Sequence, residues 1–412
     1  MIKYEKFQLP NGLTVIFHQD KTTPMAVVNT LYKVGARDEE YEKTGFAHLF
    51  EHLMFGGSVN IPDFDTPLQL AGGENNAFTS NDITNYYDVV PKQNIETALW
   101  LESDRMLSLA FTPKSLEVQR SVVIEEFKQR YLNQPYGDVW LMLRELAYKE
   151  HPYRWATIGR EISHIEEATM EDVKAFFKKY YHPSNAILCV AGDFELTEVK
   201  QLVEKWYGDI PAGIPVVRQL PEEPEQQLYC ERIVEQKVPS DAFYYAFKMC
   251  DRLSKDYYVT DVLSDLLGSD HSSRLYTKIK KEQKLVTSIS AYITGSLDEG
   301  LLVISGKLAP EITFGQLDEA LWNVLDEVKT QAVDKQELTR LKNKIKTSKA
   351  FQDKAILNRA MNLCYFELLG NTELINDELS YYDKITSDEL RRVAGEILEK
   401  TQCSLLKIKA IS

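Results

Sequence analysis

Cysteine, net positive charge and long apolar runs are all scarce in this 412-residue chain. The five cysteines (Cys189, Cys230, Cys250, Cys364 and Cys403) are scattered, with no pair at metal-ligand spacing. An odd, sparse set excludes a disulfide scaffold and predicts reduced thiols in a cytoplasm-like compartment. Lys and Arg number 48 against 62 Asp and Glu, for a net charge of −14. That balance argues against a nucleic-acid backbone or an anionic membrane as the main partner. No apolar run approaches the ~20 residues needed to span a bilayer, so no membrane span is expected. The opening "MIKYEKFQLPNGLTVIFHQD" has charges at Lys3, Glu5 and Lys6 and no apolar signal core. Neither a signal nor a transit peptide is expected, and the expected location is cytoplasmic.

What is present is a soluble composition, 44% hydrophobic and 27% charged, on a chain too long for one ordinary core. Asn11-Gly12 sits between two β-rich runs and predicts a hairpin. A strand is expected at "MAVVNTLYKVGA", a helix at about 44–55, and two short strands in "NNAFTSNDITNYYDVVP". Long helices are expected at about 94–110 and 114–132. The stretch 210–227, "IPAGIPVVRQLPEEPEQQ", concentrates Pro and Glu without periodicity and reads as a linker. The two halves echo each other. "TMEDVKAFFKKYYHPSNAILCVAG" and "TSDELRRVAGEILEKTQCSLLKIKA" each read as a capped amphipathic helix followed by a buried strand. "PMAVVNTLYKVGARDE" has a counterpart in "PSDAFYYAFKMCDRLS". The fold class expected is α+β, duplicated: two homologous domains at about 1–215 and 225–412, each a mainly antiparallel sheet packed with helices.

The helix in "GFAHLFEHLMFGG" carries His48, Glu51 and His52 among Leu, Phe and Met. At 100° per residue the three polar groups fall within an arc of roughly 100°. Two imidazoles at i, i+4 can reach one zinc ion, and a catalytic zinc takes three protein ligands with a fourth position for water. Glu51 lies beside the ligands and can accept the proton of the attacking water. A paired structural role for the histidines is the competing reading. The third ligand is sought in "LEVQRSVVIEEFKQR", where Glu125 and Glu126 compete. Glu126 projects between Val122 and Val123, and a carboxylate on an apolar face needs a partner to offset its desolvation. Glu125 projects to the side as an ordinary exposed acid. Glu126 is therefore the expected ligand.

These residues resemble the pitrilysin/insulinase family of zinc peptidases, the inverzincins, which carry H-x-x-E-H. "TGFAHLFEHLMFGG" is similar to the family's zinc helix and "GGENNAFTSNDITNYYDVV" to its substrate-binding edge strand and hairpin. "VQRSVVIEEFKQR" is similar to the helix bearing the third ligand, where the family uses the second Glu of the pair. The likeness is strong over about 1–200 and weaker over 225–412. The length suits the short-subunit type, with mitochondrial processing peptidase beta subunits and their bacterial relatives. The resemblance implies zinc on His48, His52 and Glu126, with Glu51 as general base. It implies a clamshell half, and substrate pairing to Asn76, Ala77 and Phe78 by β-augmentation.

Two departures qualify the resemblance. Gln119 stands where many relatives have an auxiliary Glu. In the second half the family carries an Arg and, seven residues on, a Tyr that stabilise the charge developing on the substrate carbonyl. Here, counting from Ser273-Arg274-Leu275-Tyr276, those positions are Lys280 and Thr287. Lysine lacks the planar fork of arginine, and threonine is far shorter than tyrosine. The expectation is a zinc endopeptidase acting on peptides or unfolded segments. It is expected to be the zinc-bearing subunit of a heterodimer whose homologous partner supplies the Arg/Tyr pair, with a homodimer as the alternative. The competing function is a proteolytically silent structural or assembly subunit.

Overall fold

Asn11 and Gly12 turn the chain between β1 (Glu5–Gln8) and β2 (Thr14–Gln19), which pair antiparallel. Gly12 has a φ of +88°, a left-handed conformation open to glycine at no steric cost. The computed structural model describes residues 1–411. It separates into two units that cut across the linear order of the chain. The first comprises Met1–Gln129, Trp155–Leu220 and Lys349–Asp377. The second comprises Arg130–Arg154, Pro221–Ser348 and Glu378 onward.

The first unit holds a six-stranded sheet in the order β1-β2-β6-β3-β5-β4, completed by β3 (Met25–Tyr32), β4 (Glu74–Thr79), β5 (Thr84–Pro91) and β6 (Ala186–Gly192). Only β2 and β6 run parallel; the other neighbours are antiparallel. β6 lies in mid-sheet and is buried at every position, as its continuous apolar run "AILCVAG" requires. β4 is an edge strand. The Phe46–Leu53 helix lies between β3 and β4 in sequence, and the Pro113–Phe127 helix follows β5.

The second unit holds a five-stranded sheet, β7-β11-β8-β10-β9. Its strands are β7 (Cys230–Gln236), β8 (Ala242–Lys248), β9 (Val286–Ile293), β10 (Leu301–Leu308) and β11 (Cys403–Ala410). β7 and β11 are parallel and the rest antiparallel. Strands β2 to β6 and β7 to β11 therefore follow one topology, and the echoed segments occupy matching places. "PMAVVNTLYK" supplies β3 and "PSDAFYYAFK" supplies β8. The Met170–Tyr180 and Ser387–Ile397 helices each open on a reciprocal capping box, Thr169 with Asp172 and Thr386 with Glu389, and each leads into the parallel strand.

Residues 211–228 carry no helix or strand, and each unit draws segments from both sides of that stretch. The units add an exchange. The Ile356–Leu368 helix buries Ala360, Leu363, Cys364 and Phe366 against Ile16, Val27, Leu31 and Ile187 of the first sheet. The Val139–Ala147 helix buries Val139, Leu143 and Ala147 against Ala242, Ala246, Leu301 and Leu406 of the second. Each of these side chains is at most 4% exposed. Burying a Leu or Phe contributes roughly 1.5–3 kcal/mol, which makes both helices part of their sheet's core.

Candidate metal centre

The metal-type cluster is built on two helices of the first unit. His48 and His52 stand one turn apart on the Phe46–Leu53 helix, their rings 4.9 Å apart at 87°. Ala47, Leu49, Phe50 and Leu53 on the other sides of this helix are buried, which fixes its roll and turns the imidazoles together. Glu126, near the end of the Pro113–Phe127 helix, faces both. Its Oε2 lies 3.7 Å from His48 Nε2 and 3.4 Å from His52 Nε2. One ligand atom from each residue falls within 4.8 Å of the others. Ligand bonds of about 2.0–2.2 Å in tetrahedral geometry put donors about 3.4 Å apart, close to the two separations from Glu126, so the three donors can converge on one zinc-sized ion.

Glu125 and Glu126 differ as the projection expects. Glu125 is 61% exposed and pairs with Lys128 at 2.8 Å, whereas Glu126 is 17% exposed. The flanking valines are unlike each other: Val123 is fully buried, but Val122 is 44% exposed. Glu126 therefore sits at the rim of the apolar face, where a polar ligand stays reachable. Gln119 is half-buried two turns earlier on the same helix.

Glu51 shares the helix but not the cluster. Its Oε2 accepts a 2.6 Å hydrogen bond from Thr79 Oγ1, at the end of β4. Burial raises its pKa above the ordinary carboxylate value, while the Thr79 hydrogen bond and the neighbouring His52 pull it down. Asn76, Ala77 and Phe78 lie on β4, which pairs with β5 on one side only. The Ala77 N–H is held by Asn76 Oδ1 at 2.8 Å, and Phe78 is 41% exposed. The strand thus offers an unpaired backbone edge whose last residue, Thr79, lies beside Glu51.

In the second unit, Lys280 Nζ sits 5.0 Å from the centroid of the Tyr276 ring. Thr287 is the second residue of β9, and its hydroxyl donates to the Lys307 carbonyl at 3.4 Å.

Sequence reasoning missed Thr79 and Glu39. Thr79 is three residues past Asn76 on a strand already singled out, so its position carried a signal. Glu39 is buried and accepts from Gly45 N at 2.9 Å, Ala47 N at 2.8 Å and Trp155 Nε1 at 3.1 Å. Burial pushes its pKa up to about 8, with the Ala47 and Gly45 N–H groups pulling against it. No spacing rule joins it to the helix.

Residues 14–160 match the family profile described as insulinase (peptidase family M16), and residues 167–345 match the profile described as peptidase M16 inactive domain. The chain is 28% identical to a protein named zinc protease PqqE of Helicobacter pylori, over 99% of this chain and 93% of that one. It is 27% identical to the mitochondrial-processing peptidase subunit beta of Saccharomyces cerevisiae, over 71% of this chain and 66% of that one. A crystal structure of a protease from Helicobacter pylori superposes with a TM-score of 0.92 at 28% identity, covering 99% of this chain and all of the other. Among the described residues, no helix is long and apolar enough to cross a membrane.

Proposed function

The chain belongs to the insulinase (M16) family of peptidases, and from that membership we propose that it is a zinc-dependent endopeptidase with its metal on His48, His52 and Glu126. The observation that carries this reading is the convergence of three donor atoms within 4.8 Å, each from a side chain held by a packed helix. Zinc held there would lower the pKa of water and polarise the scissile carbonyl. Glu51 is the general base. Its partly buried carboxylate, oriented by Thr79, takes the proton of the attacking water and returns it to the leaving amine. A peptide lies along β4 as an added strand, its backbone replacing Asn76 Oδ1 at the Ala77 N–H and a side chain meeting Phe78.

The same reading makes the chain the zinc-bearing half of a clamshell, paired with a homologous subunit that supplies an Arg and a Tyr. Two observations support it. Lys280 is engaged with Tyr276, and the Thr287 hydroxyl with a backbone carbonyl of its own sheet. The cytoplasm is the proposed location, on the scattered free cysteines.

The test is hydrolysis of a quenched fluorescent peptide by zinc-loaded protein, alone and with a homologous subunit. Glu51→Gln should lower turnover by about 10²–10⁴-fold and leave zinc content unchanged. Full turnover by the lone chain sinks the heterodimer and leaves the peptidase. Bound zinc without turnover beside any partner sinks the peptidase and favours a silent assembly subunit.

A further inference from the structure

The zinc helix begins on a residue that cannot cap it. Gly45 is the N-cap, with a φ of +87°, and a Cβ there would stand 2.8 Å from the Ile158 carbonyl oxygen. Glycine is therefore required, and glycine has no side chain to satisfy the orphan N–H groups of the first turn. The preceding Thr44 is occupied elsewhere. Its hydroxyl accepts from Arg160 N at 2.8 Å and meets His164 Nδ1 at 2.8 Å.

Resting on the metal site proposed above, we infer that Glu39 is a positioning residue for His48, acting as the cap that the helix lacks. One carboxyl oxygen takes the N–H of Gly45 and the other the N–H of Ala47. Trp155 Nε1 holds the carboxyl from a third side and donates also to the Ala36 carbonyl at 2.9 Å, which ties the 36–39 turn to the same anchor. His48 directly follows Ala47, in the turn that frays first when a helix loses its cap. His52 sits one turn deeper. Loss of the cap therefore weakens one ligand in particular and leaves the other in place.

Glu39→Gln tests this, because the amide puts an N–H donor where one backbone N–H now finds an acceptor. Three readouts are taken on folded protein: zinc affinity by chelator competition, the visible spectrum of the cobalt(II)-substituted site, and thermal stability without metal. The expected result is zinc affinity about 10–100-fold weaker, with a cobalt spectrum displaced towards that of His48→Ala. Trp155→Phe, which removes a donor and spares both helix contacts, should move affinity far less. Unchanged affinity and an unchanged cobalt spectrum, even with lowered thermal stability, would reduce Glu39 to a structural role and overturn the inference. If Glu39→Gln does not fold, hydrogen exchange on the wild-type protein decides: protected amides at 45 and 47 support the cap, and fast-exchanging ones refute it. Wild-type protein that binds no zinc at all defeats the metal-site reading itself, a separate outcome.

Discussion

The two units follow one strand plan and spend it differently. In the first, the helix between β3 and β4 carries His48, Glu51 and His52 and meets Glu126. In the second, the helix in the matching place, Asp256–Gly268 between β8 and β9, buries Val259, Val262, Leu263, Leu266 and Leu267 in a continuous apolar core. Its inward acid, Asp261, accepts a 2.7 Å hydrogen bond from the Tyr382 hydroxyl. A shared topology thus supplies the scaffold alone. The difference lies in whether the polar stripe of that helix faces a carboxylate on a second helix or a hydroxyl in the core.

Metal should separate the units most sharply. At about a thousand times its dissociation constant, a ligand that binds only the folded state adds about 4 kcal/mol. Zinc should therefore slow hydrogen exchange strongly over 46–53 and 113–127, and leave 256–268 unchanged. Equal protection in both helices would show that the metal acts on the whole chain. His48→Ala should abolish the effect.

A smaller change is expected in the second unit. Asp261 keeps some accessible area, yet protein surrounds its carboxyl closely enough that burial pushes the pKa up to about 6. A carboxylate raised from 3.8 costs nothing below that value, costs increasingly between 3.8 and 6, and costs its full amount above. Asp261→Asn, whose carbonyl still accepts from Tyr382, should raise stability at pH 8 by about 1–2 kcal/mol and change nothing at pH 3.5. Denaturant melts at the two pH values check the sign.

The smallest effect belongs to the first unit. Arg359, near the start of the exchanged Ile356–Leu368 helix, donates to His18 Nε2 at 3.0 Å and pairs with Asp20. His18 Nδ1 lies 2.7 Å from the Lys3 carbonyl, so the ring is neutral with its proton on Nδ1. Burial lowers the His18 pKa, and Arg359 lowers it further. Its contribution is present in full above about 6.5 and is lost as pH falls towards the depressed folded value. Melting temperature should decline below pH 6.5 in the wild type and decline less in His18→Gln. Parallel curves would remove His18 from the account.

Short-range features were legible in the sequence because local chemistry sets them. The Asn11-Gly12 hairpin, both capping boxes and the His48/His52 spacing each rest on residues within four positions of one another. Glu126 was legible at one remove, through the oddity of an acid beside Val123. Glu39 was not, since it meets the helix through a turn whose path no periodicity records. The exchanged helices were equally hidden. The amphipathic patterns of 139–147 and 356–368 announce an apolar face without naming the sheet it will meet.

That exchange sets a timetable for synthesis. The first sheet is written by residue 192, yet one of its faces stays bare until Phe366 has left the ribosome. The first sheet must therefore wait for about 170 further residues before that face is covered. Each unit takes a core helix from the far side of the 210–227 segment, so a nick there in the finished protein would not release two independent halves.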